Sequence, residues 1–135
     1  MTVVDASALA AFVLKEPGWK SLAEYLVGAV SVDMVVKEVA NAVWKACRVR
    51  GYVGVEEARR LLRVLKSMIG VNIELRPEAD YLDAAFEIAV EHGVTVYDAL
   101  YLALAVEEGE PLLTLDERQL RVAGKLGVRV VEVRL

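Results

Sequence analysis

Four acidic side chains, Asp5, Glu38, Asp98 and Asp116, hold positions from which they can act together. Asp5 closes the β-branched run Thr2-Val3-Val4, and Asp116 closes the apolar run Leu112 to Leu115. Both should emerge at the carboxyl edge of a sheet, where ligands gather in open α/β folds. Asp98 opens a nearly all-apolar stretch, Ala99 to Val106, and Glu38 sits beside Val35, Val39 and Ala42 at helical spacing. Carboxylates converging in one cleft repel one another and raise their pKa values unless a cation neutralises them. The natural cation is Mg²⁺ or Mn²⁺, which takes carboxylate oxygens and keeps several waters; zinc prefers His or Cys. Only His92 and Cys47 offer those ligands. Such a site suits phosphodiester hydrolysis, because metal ions activate a water, polarise phosphoryl oxygens and stabilise the leaving oxygen. Ser7, two residues after Asp5, and Thr114, two before Asp116, are candidate donors that orient carboxylates. Asn41 shares a helix face with Glu38.

Each acid also has a purely structural reading. Asp5 and Asp116 each precede a helix and could be N-caps. Asp98 could complete a capping box with Thr95 and favour the helix dipole. Glu38 alone would be a solvated helix residue. Caps and ligands are compatible roles, and the ordered set of four favours a shared site.

The elements that must position these residues alternate in type. Thr2 to Asp5 reads as a strand and Ala6 to Leu14 as a helix. Pro17-Gly18 breaks the pattern, a helix resumes from Lys20 to Val27, and Ala29 to Val32 is a second strand. Asp33 looks like the N-cap of a helix running from Met34 to about Arg50, closed by Gly51. Val55 to Ile69 forms another helix, with Ala58, Leu61, Leu62, Leu65 and Met68 on one face. Val71 to Leu75 is a strand, and Pro77 begins a helix reaching about His92. The helix Ala99 to Val106 must be buried on most sides. The strand Leu112 to Leu115, a short helix to about Lys125 and a last strand Val128 to Val133 complete the chain.

Strands alternating with helices imply parallel pairing, hence a three-layer α/β/α sandwich around a mainly parallel sheet of about five strands. The 135 residues, 56% of them hydrophobic, suffice for one core, so a single domain over residues 1–135 is expected. The longest apolar stretch, Tyr97 to Val106, is about half a membrane span. With no signal-like N-terminus either, a cytoplasmic protein without membrane contact is expected. Cys47 is buried filler on this reading. The net charge of −4 argues against a general electrostatic clamp on nucleic acid, so any such contact must be local. Scarce amide side chains beside 27% charged residues lean toward heat adaptation.

The strings Val4-Asp5-Ala6-Ser7-Ala8, Glu38-Val39-Ala40-Asn41, Tyr97-Asp98-Ala99-Leu100-Tyr101 and Leu113-Thr114-Leu115-Asp116 resemble the PIN-domain pattern in order and spacing, over the whole chain. The chain is especially similar to the VapC toxins of type II toxin-antitoxin systems. The resemblance implies a magnesium-dependent endoribonuclease that cuts RNA, is held inactive by a cognate VapB antitoxin and works as a homodimer. It further implies that Asp5, Glu38, Asp98 and Asp116 are the acidic quartet, with Ser7, Asn41 and Thr114 as supporting polar positions.

Rival readings are a housekeeping RNA-processing PIN nuclease and a non-catalytic binding module on the same sheet. A phosphoacceptor receiver needs an acidic pair after the first strand, and Asp5-Ala6 lacks it. A haloacid-type phosphatase needs an aspartate where Ser7 stands, and no P-loop spacing is present. His92, beside Gly93, reads as a helix-end residue without a catalytic role. The aromatics Trp19, Trp44, Tyr25, Tyr52, Tyr81 and Tyr101 read mainly as packing, with a base-stacking role open for one or two. The basic set Lys45, Arg48, Arg50, Arg59, Arg60, Arg63 and Lys66 flanks Gly51 and is either a solvated face or an RNA grip.

Overall fold

A strand buried on both faces must be covered by helices from both sides, and strands of this chain meet that condition. In the computed structural model, which describes residues 1–133, β1 (Val3–Val4) and β2 (Ala29–Val32) are buried at every position. With β3 (Ile73–Arg76) and β4 (Leu112–Leu113) they form an all-parallel sheet of order β3-β2-β1-β4. Val3 is in register with Val30 on one side and Leu112 on the other. Helices α1 (Ala6–Val13), α3 (Met34–Trp44) and α4 (Val55–Met68) pack on one another. Helix α6 (Val96–Glu108) lies against β1, β2 and β4, with α5 (Leu82–His92) and α7 (Glu117–Lys125) beside it. The expected three-layer α/β/α arrangement holds.

The sheet has four strands where about five were expected. The segment Val128 to Val133 contributes one isolated bridge, Val130 to Leu112. Leu112 donates its N–H to the Arg129 carbonyl and its own carbonyl accepts from Val131, each at 2.9 Å. Pairing stops there because β4 ends at Leu113: the N–H groups of Leu115 and Asp116 are taken by the hydroxyls of Ser7 and Thr114. β3 also starts later than expected, at Ile73, after a turn through Gly70 at φ +80°.

Two helical segments open as tight 3₁₀ turns, Trp19–Leu22 before the single-turn α2 (Ala23–Leu26) and Glu78–Tyr81 before α5. Asp33 occupies the cap position of α3 without a side-chain cap bond; its Oδ1 accepts from the Glu78 N–H at 3.0 Å. It therefore ties the start of α3 to the segment after β3. The end of α3 departs further from expectation, since Lys45–Val49 is a π-turn. There Arg50 N–H reaches the Lys45 carbonyl at 2.9 Å, and Gly51 at φ +70° turns the chain away.

Helix α6 is buried from Ala99 through Ala105 without a break, as its all-apolar sequence requires. Thr95 caps it by accepting the Asp98 N–H at 3.2 Å, and Gly109 at φ +65° closes it in the left-handed conformation that glycine adopts without strain. Among the described residues no single helix is long and apolar enough to cross a membrane. Leu104 is fully buried on α6 whereas Val90, on α5, is 67% exposed. Leu104→Ala should therefore cost about 2–5 kcal/mol of unfolding free energy, and Val90→Ala should stay within about 0.5 kcal/mol. Urea titration of both variants checks the assignment of the core.

Candidate functional site

Asp5 is the most enclosed acid of the four, 3% exposed at the carboxyl end of β1. Its Oδ1 accepts the Ala8 N–H at 3.1 Å, capping α1, and the Ser7 hydroxyl at 2.7 Å. Its Oδ2 accepts from the Thr114 hydroxyl. Each hydroxyl has one proton, and both are spent on Asp5, so the 3.2 Å approach of Ser7 to Thr114 adds no third bond. The same oxygens accept from the backbone: Ser7 Oγ from Leu115 N–H at 2.9 Å and Thr114 Oγ1 from Asp116 N–H at 3.1 Å. Two hydroxyls thus fasten the carboxylate to the turn that carries Asp116. Ser7 and Thr114 orient Asp5 as their spacing suggested.

Asp116 caps α7, its Oδ1 accepting the Gln119 N–H at 3.0 Å. The side chain of Gln119, 1% exposed, reaches across to the Asp98 carbonyl at 3.0 Å, which couples α7 to the first turn of α6. Its Oε1 is buried with no hydrogen-bond partner. Glu38 projects from α3 and accepts the hydroxyl proton of Tyr101 at 2.5 Å. Tyr101 is 1% exposed, one helical turn after Asp98 on α6. A pocket of about 410 Å³ borders Glu38, Asn41, Glu78 and Tyr97. Asn41 shares that pocket but makes no hydrogen bond to Glu38 among the described residues.

The acids feel one another's charge. Asp5 is pushed up to about 6 from an ordinary 3.8, chiefly by burial and partly by Asp116, against the downward pull of its three donors. Burial raises Glu38, with the Tyr101 hydroxyl opposing and Asp98 and Glu78 adding repulsion. Burial and Asp116 raise Asp98, which Arg118 partly offsets. Burial and the Glu38 carboxylate hold the Tyr101 proton on its oxygen. None of the four acids is in an ion pair among the described residues. Charge repulsion thus runs from Glu38 to Asp98, from Asp98 to Asp116 and from Asp116 to Asp5, while of the four only Glu38 borders the pocket of about 410 Å³.

The donor chemistry fits a hard divalent cation: oxygen ligands alone, with uncompensated negative charge. The spacing is looser than the sequence suggested, because no three described His, Cys, Asp or Glu side chains stand close enough to hold one ion. The hydrogen bonds explain why. Asp5 is engaged through both oxygens, Glu38 by Tyr101 and Asp116 by its cap, so three of the four carboxylates are aimed at protein donors. A larger pocket of about 560 Å³ lies at the opposite end of the sheet, by Gly28 and Asn72, and borders none of the four.

Tyr101, Gln119 and Glu78 were not singled out as site residues by sequence. Tyr101 and Gln119 each follow a quartet acid by three residues, one helical turn, which is the signal that could have found them. Glu78, whose buried Oε2 has no partner, comes to Glu38 through tertiary contact alone.

The PIN domain family matches residues 2–125. Ribonuclease VapC3 of Pyrobaculum aerophilum is 43% identical over 120 residues, covering 86% of this chain and 89% of that protein. Exonuclease VapC9 of the same organism is 33% identical over 134 residues, 98% of this chain and 94% of that one. Among solved structures, PAE2754 from Pyrobaculum aerophilum superposes with a TM-score of 0.68 at 28% identity, covering 90% of this chain and 83% of that one. FitAcB from Neisseria gonorrhoeae shares the fold at a TM-score of 0.62 and 15% identity, covering 98% and 97%.

Because Asp5 is raised in the folded state, its neutral form is favoured there. That stabilisation is complete below about pH 3.8 and is lost as pH rises through about 6. A shift of this size corresponds to about 3 kcal/mol. With chelator present, Asp5→Asn should be more stable than the parent at pH 7.5 by about 1–3 kcal/mol, the gap closing toward pH 4. Thermal unfolding of both proteins across that range is the check, and a parent that outlasts the variant at pH 7.5 would contradict it.

Proposed function

This chain belongs to the PIN-domain family, and on that premise we propose that it is a divalent-metal-dependent endoribonuclease, the toxin of a toxin-antitoxin pair. The observation that carries the reading is that burial and the charge of neighbouring acids raise Asp5, Glu38 and Asp98, with no ion pair among the described residues to relieve them or Asp116. The name of the 43% identical relative, a ribonuclease, points the same way.

Asp5, Glu38, Asp98 and Asp116 would hold Mg²⁺ or Mn²⁺. When bound, such an ion lowers the pKa of water and draws charge from the phosphoryl oxygens. The rest of the work belongs to the protein. Ser7, Thr114 and the Ala8 N–H fix Asp5 in place. Tyr101 keeps its proton and aims Glu38, and Gln119 holds the first turn of α6, where Asp98 sits. No side-chain nucleophile is needed, so water attacks the phosphorus.

A VapB-like antitoxin would cover the acidic cleft with a basic segment, and both partners would meet in the cytoplasm. The protein acts as a homodimer in this reading. Leu82, Phe86 and Val90 form an exposed apolar stripe on α5, more regular than the exposed residues between Met34 and Ile69, and self-association would cover it.

The two named relatives are a ribonuclease and an exonuclease, so the mode of cutting needs its own test. A covalently closed circular RNA has no end for an exonuclease. Incubated with Mg²⁺ or Mn²⁺, the protein should linearise it, and chelator should stop the reaction. Asp98→Asn should lower the rate more than the roughly 10–100-fold that loss of an outer partner of a metal site costs, with unchanged far-UV circular dichroism. Full activity in that variant would reject the assignment.

A further inference from the structure

The acidic cleft repels the polyanion it would cut, so affinity for RNA has to come from beside it. A pocket of about 360 Å³ adjoins Asp5 on the Ser7 side: Ser7 and Leu115 line it together with Lys45, Arg50 and Tyr52, and Glu16 is the acid among its lining residues. Lys45 stands seven residues after Glu38, two turns along one face of the α3 helix and its π-turn, or about 10 Å. Asn41 lines the pocket at Glu38, and Ala42, the next residue, lines the pocket at Lys45. The two pockets therefore sit side by side along that helix.

The structure divides the seven basic residues around Gly51. Arg59 and Arg60 on α4 are neutralised by Glu56 and Glu57. The other five, Lys45, Arg48, Arg50, Arg63 and Lys66, are in no ion pair among the described residues, although the chain carries four more negative charges than positive, and of these Lys45 and Arg50 line the pocket. Tyr52 is 57% exposed, a large ring left in solvent beside those cations. The π-turn sets this arrangement: it inserts extra backbone after Trp44, and Gly51 then folds Tyr52 back so that its N–H reaches the Ala46 carbonyl at 3.1 Å. Such π-turns recur at functional sites.

We propose that Lys45, Arg50 and Tyr52 form an RNA subsite flanking the carboxylate cleft. It rests on the nuclease reading and narrows its substrate. Lys45 and Arg50 hold a backbone phosphate next to the one that is cut, and a base stacks on the Tyr52 ring. A base stacks on a side chain only when it is free of its own neighbours, so the strand in this pocket is unpaired: a loop, bulge or single strand.

The test uses the full chain carrying Asp98→Asn, so that bound RNA is not cut, with a fluorescent single-stranded RNA and a hairpin duplex as probes. Lys45→Ala combined with Arg50→Ala should weaken single-strand binding at least about tenfold and flatten its salt dependence by roughly 1.4 in log–log slope, two phosphate contacts' worth. Tyr52→Ala should weaken the single strand about 5–100-fold and leave the duplex unchanged, while Tyr52→Phe should bind like the parent. Arg59→Ala should have no effect. Variants with parental melting temperatures, affinity and salt slope would overturn the subsite while leaving nuclease activity of the unsubstituted chain intact. A chain that neither binds nor cuts any RNA would sink the nuclease reading, and this subsite with it.

Discussion

A carboxylate buried at the end of the central strand, with hydroxyls and one backbone amide for company and no cation, organises the structure around it. Asp5 joins three pieces of chain, since its donors come from α1 and from the turn after β4. Because those hydroxyls accept from the Leu115 and Asp116 amides, the network also ends β4 after two residues. The shortness of the sheet edge and the orientation of the acid have one cause. Satisfying a buried carboxylate takes several donors, and here they are two hydroxyls and the Ala8 amide, the hydroxyls in turn accepting from the backbone just past β4.

Around that anchor the remaining acids are delivered by elements chosen for rigidity. Helix α6 is buried along its middle from Ala99 through Ala105, so Asp98 and Tyr101 ride on a helix held by packing. Asp98 caps nothing with its own side chain; Thr95 and Gln119 hold the backbone beside it. Glu38 is held by a tyrosine whose proton is locked in place by that same carboxylate. The fold tolerates this negative charge by raising three of the acids, at a cost to stability near neutral pH.

Helix α3 links this cleft to a surface of opposite charge. Its inner turns carry Glu38 and its last turn, wound as a π-turn, carries Lys45. The opposite charges of Glu38 and Lys45 are thereby kept on one helix yet about two turns apart.

Much of this was readable in the order of residues, because the readable features are local. The run of apolar residues from Ala99 to Val106 reads as a buried helix, glycines at 51 and 93 mark helix ends, and acids directly after short apolar runs mark strand ends. The quartet Asp5, Glu38, Asp98 and Asp116 and the hydroxyls of Ser7 and Thr114 follow from spacing of one or two residues and one helical turn. What spacing does not encode is distance between remote segments. The last expected strand shrank to a single bridge at Leu112, next to a turn whose Leu115 amide is taken by Ser7, 108 positions away in sequence. The basic residues near Gly51 looked alike in sequence, and only the fold brings Lys45 and Arg50 to one pocket with Ser7 and Leu115. Pairing of Tyr101 with Glu38 needed two helices to meet across the core. Periodicity and turn chemistry act over a few residues, whereas which donor satisfies which carboxylate is settled by long-range packing, and that is where the site acquired its geometry.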